Sequence, residues 1–88
     1  MNSNLEMEVI DIIEKRGQFP VSLKKDILAC RYLDLGLVDS IELMGFIFEI
    51  EDRFNISLEA EETESDEFRY TAGLIGIIQR KISSAKNR

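Results

Sequence analysis

Apolar residues recur three and four positions apart in three separate stretches of this chain, and nowhere do they alternate over the four to eight residues of a half-buried strand. Leu5, Val9, Ile12 and Ile13 form the first set. Leu43, Phe46, Ile47, Ile50 and Phe54 form the second, and Leu74, Ile75, Ile78 and Ile82 the third. Such spacing puts each set on one side of an α-helix. The expected fold is therefore all-α, a small bundle of three main helices plus a short fourth, with a long loop between helix one and helix two. At 88 residues there is material for one domain, 1–88, with a structured core over about 4–82 and a frayed end over 83–88.

Local signals set the expected boundaries. Ser3 and Glu6 have capping-box spacing, and Gly17 and Pro20 stop the first helix, expected over 4–16. From Gly17 to Val38 runs a long connection with scattered apolar residues and room for a short helical turn around Lys24 to Arg31. Connections of that length in small domains usually carry a function. Asp39 can cap the second main helix, with Glu42 at its third position, and the pattern continues to Phe54 before Asn55 breaks it. Glu59 to Glu67 is too polar to bury and reads as a loop with one short helical piece ending near Phe68. Thr71 can cap the last helix.

Composition narrows the chemistry. Hydrophobic residues make up 44% of the chain and charged ones 32%, a globular balance that argues against disorder along its whole length. Histidine is absent, and there is no G-x-S-x-G elbow or Gly-rich phosphate loop, so no catalytic residue is assigned and an enzyme is not expected. No stretch matches a calcium loop, and no metal site is assigned. Cys30 is the single cysteine. It cannot form an internal disulfide, reads as a small packing residue, and suits a reducing compartment. No apolar run approaches the roughly 20 residues of a membrane span, and the first residues lack a basic leader region, so the expectation is a cytoplasmic protein without membrane insertion. Net charge is −6, and from Asp39 to Glu67 eleven acidic residues face one basic residue, Arg53. That surface repels nucleic acid and favours proteins with basic patches.

On a wheel of about 100° per residue, Ile41, Met44 and Phe48 fall opposite the core stripe of the second main helix, beside Glu51 and Asp52. Either the rest of the bundle wraps round to cover them, or they form an exposed docking strip; the second reading is preferred. Gly45, on the same side, costs a helix about 1 kcal/mol relative to Ala, which close approach of a partner's backbone would explain. Ser40 follows the Gly36 loop and Asp39 at the first turn of this helix. Helix-start N–H groups can stabilise a phosphodiester there, and a surface loop is open to a second protein. Alternatively Asp39 and Ser40 merely cap the helix.

The run Asp34-Leu35-Gly36-Leu37-Val38-Asp39-Ser40-Ile41-Glu42-Leu43, followed by Glu49-Ile50-Glu51-Asp52-Arg53-Phe54-Asn55-Ile56, resembles the acyl carrier protein family, whose attachment motif is Asp-Ser followed by an apolar residue. The resemblance extends from helix one to Thr71. It implies that a phosphopantetheinyl transferase, using coenzyme A and magnesium, joins 4′-phosphopantetheine to the Ser40 oxygen, with Asp39 part of the attachment motif. The arm's thiol would then hold an acyl-type cargo as a thioester for enzymes of fatty-acid, polyketide or specialised lipid biosynthesis. Ile41, Glu42, Met44, Phe48 and Glu51 map onto the family's partner-guiding surface. Gly45 stands where many fatty-acid carriers have an acidic residue, Ile41 replaces the commoner Leu, and the loop is one residue longer than the fatty-acid type. An aminoacyl- or peptidyl-type carrier is therefore the alternative within the family, and an unmodified acidic helical adaptor the alternative outside it. A monomer is expected.

Overall fold

The computed structural model describes the backbone of residues 3–86 and the side chains of 4–84. Its first helix, α1 (Ser3–Glu14), buries Leu5, Val9, Ile12 and Ile13, the residues whose spacing announced it. It closes two residues early, with the N–H groups of Arg16 and Gly17 both donating to the Ile13 carbonyl at 2.9 and 3.1 Å. The Ser3 side chain, and with it the expected capping box, lies outside the described residues. Glu6 is instead buried, its carboxylate 2.7 Å from Lys24 Nζ.

The long connection is part of the core rather than a strap over it. A short helix, α2 (Lys24–Ala29), rests Ile27 and Leu28 against the bundle. Beyond it the Cys30 carbonyl accepts both the Thr71 N–H at 3.0 Å and the Thr71 hydroxyl at 3.3 Å. Cys30 is free and half-buried, and burial pushes its thiol pKa up. Tyr32 and Val38 are buried, and the Tyr32 hydroxyl donates to the Phe68 carbonyl. Desolvation raises the pKa of that phenol, so it stays a neutral donor. The rings of Tyr32 and Phe46 lie 5.7 Å apart, and those of Phe46 and Phe68 6.2 Å apart and edge-on, in the arrangement aromatic quadrupoles prefer.

The second main helix, α3 (Leu43–Phe54), begins later than expected: Ser40 to Glu42 form a separate turn instead of its first turn, so Asp39 is not its cap, and it ends at Asn55 in the left-handed conformation, φ 55°. Phe46 and Ile50 are buried, with Leu43, Ile47 and Phe54 packed against the same core. The acidic stretch holds two short pieces rather than the one expected. The first is α4 (Ala60–Thr63), whose capping box is built by Glu59 and Glu62; the second is a 3₁₀ turn (Asp66–Arg69) that buries Phe68.

The last helix, α5 (Thr71–Lys86), runs four residues past the expected boundary at 82, so 83–86 are helical; 87 and 88 lie outside the described residues. Thr71 is buried, and its hydroxyl serves the Cys30 carbonyl instead of capping its own helix. Besides Leu74, Ile75 and Ile78, α5 buries Ile77, because α1, α2 and the 3₁₀ turn enclose it on several sides. Among the described residues there is no strand, and no helix is long and apolar enough to cross a membrane. The radius of gyration, 12.2 Å, matches the roughly 12 Å of a compact domain of this length, as a packed connection requires.

Candidate functional site

Ser40 is placed by the two anchors of the preceding loop. Tyr32 and Val38 sit in the core, the Leu37 N–H donates to the Tyr32 carbonyl at 3.0 Å, and Gly36 makes the intervening turn at φ +80°, a conformation costly for any residue with a Cβ. Leu37 is also pressed against the end of α1. A Cβ on Gly17 would lie 2.6 Å from the Leu37 carbonyl oxygen, so the loop and α1 meet backbone to backbone. Immediately beyond Val38 the chain reaches the surface, with Asp39 and Ser40 both exposed.

There Asp39 and Ser40 divide the work. The Asp39 carboxylate accepts the Glu42 N–H at 2.9 Å and so closes the turn over 40–42 that leads into α3; it is not the cap of the helix itself, which follows Glu42 and has no side-chain cap. Ser40 is exposed and makes no hydrogen bond among the described residues. Its hydroxyl is consequently free to be acylated, phosphorylated or otherwise substituted without loss of a structural contact. Beside it opens a hollow of about 340 Å³ lined by Leu33, Gly36, Val38, Asp39, Leu43 and Arg69. The floor is apolar, and Arg69 is the only cation in the lining.

Arg69 belongs to a network that no periodicity could have shown, because its members lie up to 35 residues apart. Its Nε donates to Asp34 Oδ1 at 2.7 Å, and its Nη2 donates to the same oxygen. Asp34 Oδ2 takes the Arg31 Nε at 2.5 Å, and Arg31 Nη2 reaches Asp66 at 2.6 Å. Hydrogen bonds from Arg69 and then Arg31 hold the Asp34 carboxyl below the usual carboxylate range, and Arg31 does the same for Asp66. The Asp34 of the sequence motif is thus a clamp between the loop and the 3₁₀ turn.

On the flank of α3 away from the core, Ile41, Met44 and Phe48 are 89%, 55% and 59% exposed, and Glu42 is exposed beside them. No described part of the chain covers this strip, which removes the wrapped alternative. Glu51 behaves differently from the other predicted rim residues. It is half-buried, and its carboxylate accepts the Leu58 N–H at 2.8 Å, fastening the segment after α3 to the helix.

A second groove, of about 500 Å³, runs between the end of α1 and the first turns of α3, lined by Lys15, Arg16, Ile41, Glu42, Gly45 and Glu49. Lys15 and Arg16 both reach Glu49, at 3.1 and 2.6 Å, and Arg16 lies 5.7 Å over the Phe46 ring. Burial pushes the Glu49 carboxyl up, and the two cations together pull it down further, leaving it below the usual range. A Cβ on Gly45 would meet only Arg16 Nη2, at 3.7 Å, an ordinary contact. Nothing among the described residues requires glycine there. Several carboxylates of the acidic run are likewise engaged, Glu62 with Lys81, Asp66 with Arg31 and Glu67 with Arg80, whereas Glu42, Asp52, Glu61 and Glu64 make no ion pair among the described residues.

Among the described residues no three His, Cys, Asp or Glu side chains converge to hold a metal ion. Comparison of the chain with family models, with curated proteins and with solved structures gives no match.

Proposed function

We propose that the chain is a carrier protein whose Ser40 takes a 4′-phosphopantetheine arm from coenzyme A. The observation that carries this reading is the division of labour in the turn before α3: Asp39 accepts the Glu42 N–H that closes the turn, which leaves the Ser40 hydroxyl exposed and unbonded next to the buried Val38. The residues present fit such a group, since an open hollow adjoins the hydroxyl and Arg69 offers a positive charge at its edge. In the transfer, the Ser40 oxygen would bond to the phosphorus nearest the pantetheine, adenosine 3′,5′-bisphosphate would leave, and the serine proton would pass to a base of the transferase, because this chain offers no histidine to receive it. When bound, the arm supplies a terminal thiol for cargo held as a thioester. The chain's own part is to present the serine and, through Ile41, Glu42, Met44 and Phe48, to offer successive loading and processing enzymes an apolar strip with an acidic edge. This is a carrier of acyl or aminoacyl groups, cytoplasmic and monomeric, and not itself an enzyme.

The purified protein incubated with coenzyme A, magnesium and a promiscuous transferase should gain the mass of one phosphopantetheinyl group, and Ser40→Ala should gain none. A folded wild-type protein that gains no mass would refute the carrier reading. The exposed strip would then support the alternative of an unmodified adaptor that binds one partner.

A further inference from the structure

We infer that Arg69 is the residue of this chain that binds the phosphodiester joined to Ser40, an inference that rests on the carrier reading above. Ser40 and Arg69 line the same hollow although 29 positions separate them, because the 3₁₀ turn lies against the loop that ends at Ser40. Asp39 already places one negative charge at this edge, and a phosphodiester would add a second. Of the side chains lining the hollow, only Arg69 can offset it.

The guanidinium is both held and available. Nε and Nη2 are engaged by a single oxygen of Asp34, while Nη1 makes no hydrogen bond among the described residues. Asp34 is itself divided between two arginines, one oxygen to each, while Arg31 also pairs with Asp66, so the four groups balance in charge and what Arg69 offers a further anion is its open Nη1 donor. A planar fork with one side fixed and the other donor open is suited to a phosphate oxygen, and Lys could supply the charge but not the fork. The Leu33 N–H donates to the Arg69 carbonyl at 3.4 Å, and Phe68 beside it is buried, so the backbone carrying the guanidinium is anchored to the Ser40 loop and to the core. Arg69 is then a positioning residue for the root of the arm.

The test uses full-length protein loaded with phosphopantetheine, read by phosphorus and nitrogen NMR. In the folded wild type the phosphorus resonance should be displaced from its position in the same protein unfolded in urea. Arg69→Gln should abolish most of that displacement, Arg69→Lys should retain part of it, and Asp34→Asn, which releases the guanidinium, should enlarge it. The Arg69 Nε resonance of the wild type should also move between the unloaded and loaded forms, a comparison that needs no variant to fold. A phosphorus resonance unchanged by Arg69→Gln, or an Arg69 Nε that does not move on loading, overturns the inference while leaving the carrier reading intact. Failure of the folded wild type to gain mass overturns the carrier reading and this inference with it.

Discussion

Phe46 and Phe48 stand two residues apart on one helix; Phe46 is wholly buried and Phe48 is 59% exposed. Phe46 is enclosed by the rings of Tyr32 and Phe68, with the Arg16 guanidinium lying over its ring. Phe48, with Ile41 and Met44, lies on a flank that no described element covers. Both phenylalanines would contribute about 1.5–3 kcal/mol if fully buried, yet only Phe46 realises that within the molecule. One face of α3 holds the bundle together. The other leaves comparable apolar surface for a contact outside it.

The largest effect should come from Phe46→Ala, which empties the centre of the aromatic cluster and should cost about 3–5 kcal/mol in chemical denaturation. Phe48→Glu should stay within about 0.5 kcal/mol of wild type, because its side chain leaves no cavity. A large loss for Phe48→Glu would break the comparison by showing that this face is core. Applied to the loading reaction, the same variant should slow transfer to Ser40 while leaving helicity unchanged.

Tyr32→Phe probes the support under Phe46 and should cost about 1–3 kcal/mol, since it leaves the Phe68 carbonyl without its buried donor. Urea denaturation would measure it. An unchanged midpoint would mean that packing of the Tyr32 ring alone holds the loop.

Much of the first face was legible in the sequence, and the second in part. Leu43, Phe46, Ile47, Ile50 and Phe54 follow the 3.6-residue period, and the same wheel separated Ile41, Met44 and Phe48 from them. Ile77 escaped notice because α5 is enclosed on more than one side, so a single stripe undercounts what it buries. Thr71 looked like a cap, but tertiary contact gave its hydroxyl to Cys30. At the site, the roles of Asp39 and Ser40 could not be separated until the Glu42 N–H had chosen the Asp39 carboxylate. Arg69 meets Asp34, Arg31 meets Asp66, and Lys15 and Arg16 meet Glu49 across 33 to 35 positions. Pairing at that distance leaves no periodic trace.

Gly45→Ala sharpens the contrast from the exposed side. Added methyl would sit 3.7 Å from Arg16 Nη2, so the substitution should stabilise α3 by up to about 1 kcal/mol by removing backbone freedom from the unfolded chain. The thermal midpoint should rise. If partners approach this flank closely, the same stabilised variant should be used less well by them, a combination that no folding defect produces. A lowered midpoint would show that the groove lacks the room the geometry describes.

The smallest predicted effect concerns Glu49, which lies on the boundary between the two faces. Lys15 and Arg16 hold its folded pKa below its unfolded value, so the unfolded chain takes up a proton first as pH falls. Its contribution is therefore complete above the unfolded glutamate range, near pH 4 to 5, and is lost as pH drops through the folded value. Asp34, Asp66 and Glu62 are shifted in the same direction and should steepen the same acid limb. The thermal midpoint should thus be flat from neutral pH to about 5 and then decline. Glu49→Gln should flatten that decline, with a loss at neutral pH of no more than about 1 kcal/mol, the ordinary scale of a partly exposed ion pair. Because Arg16 also lies over Phe46, a loss well above that scale would show that freeing Arg16 loosens the buried face and that the two faces of α3 are coupled through this pair.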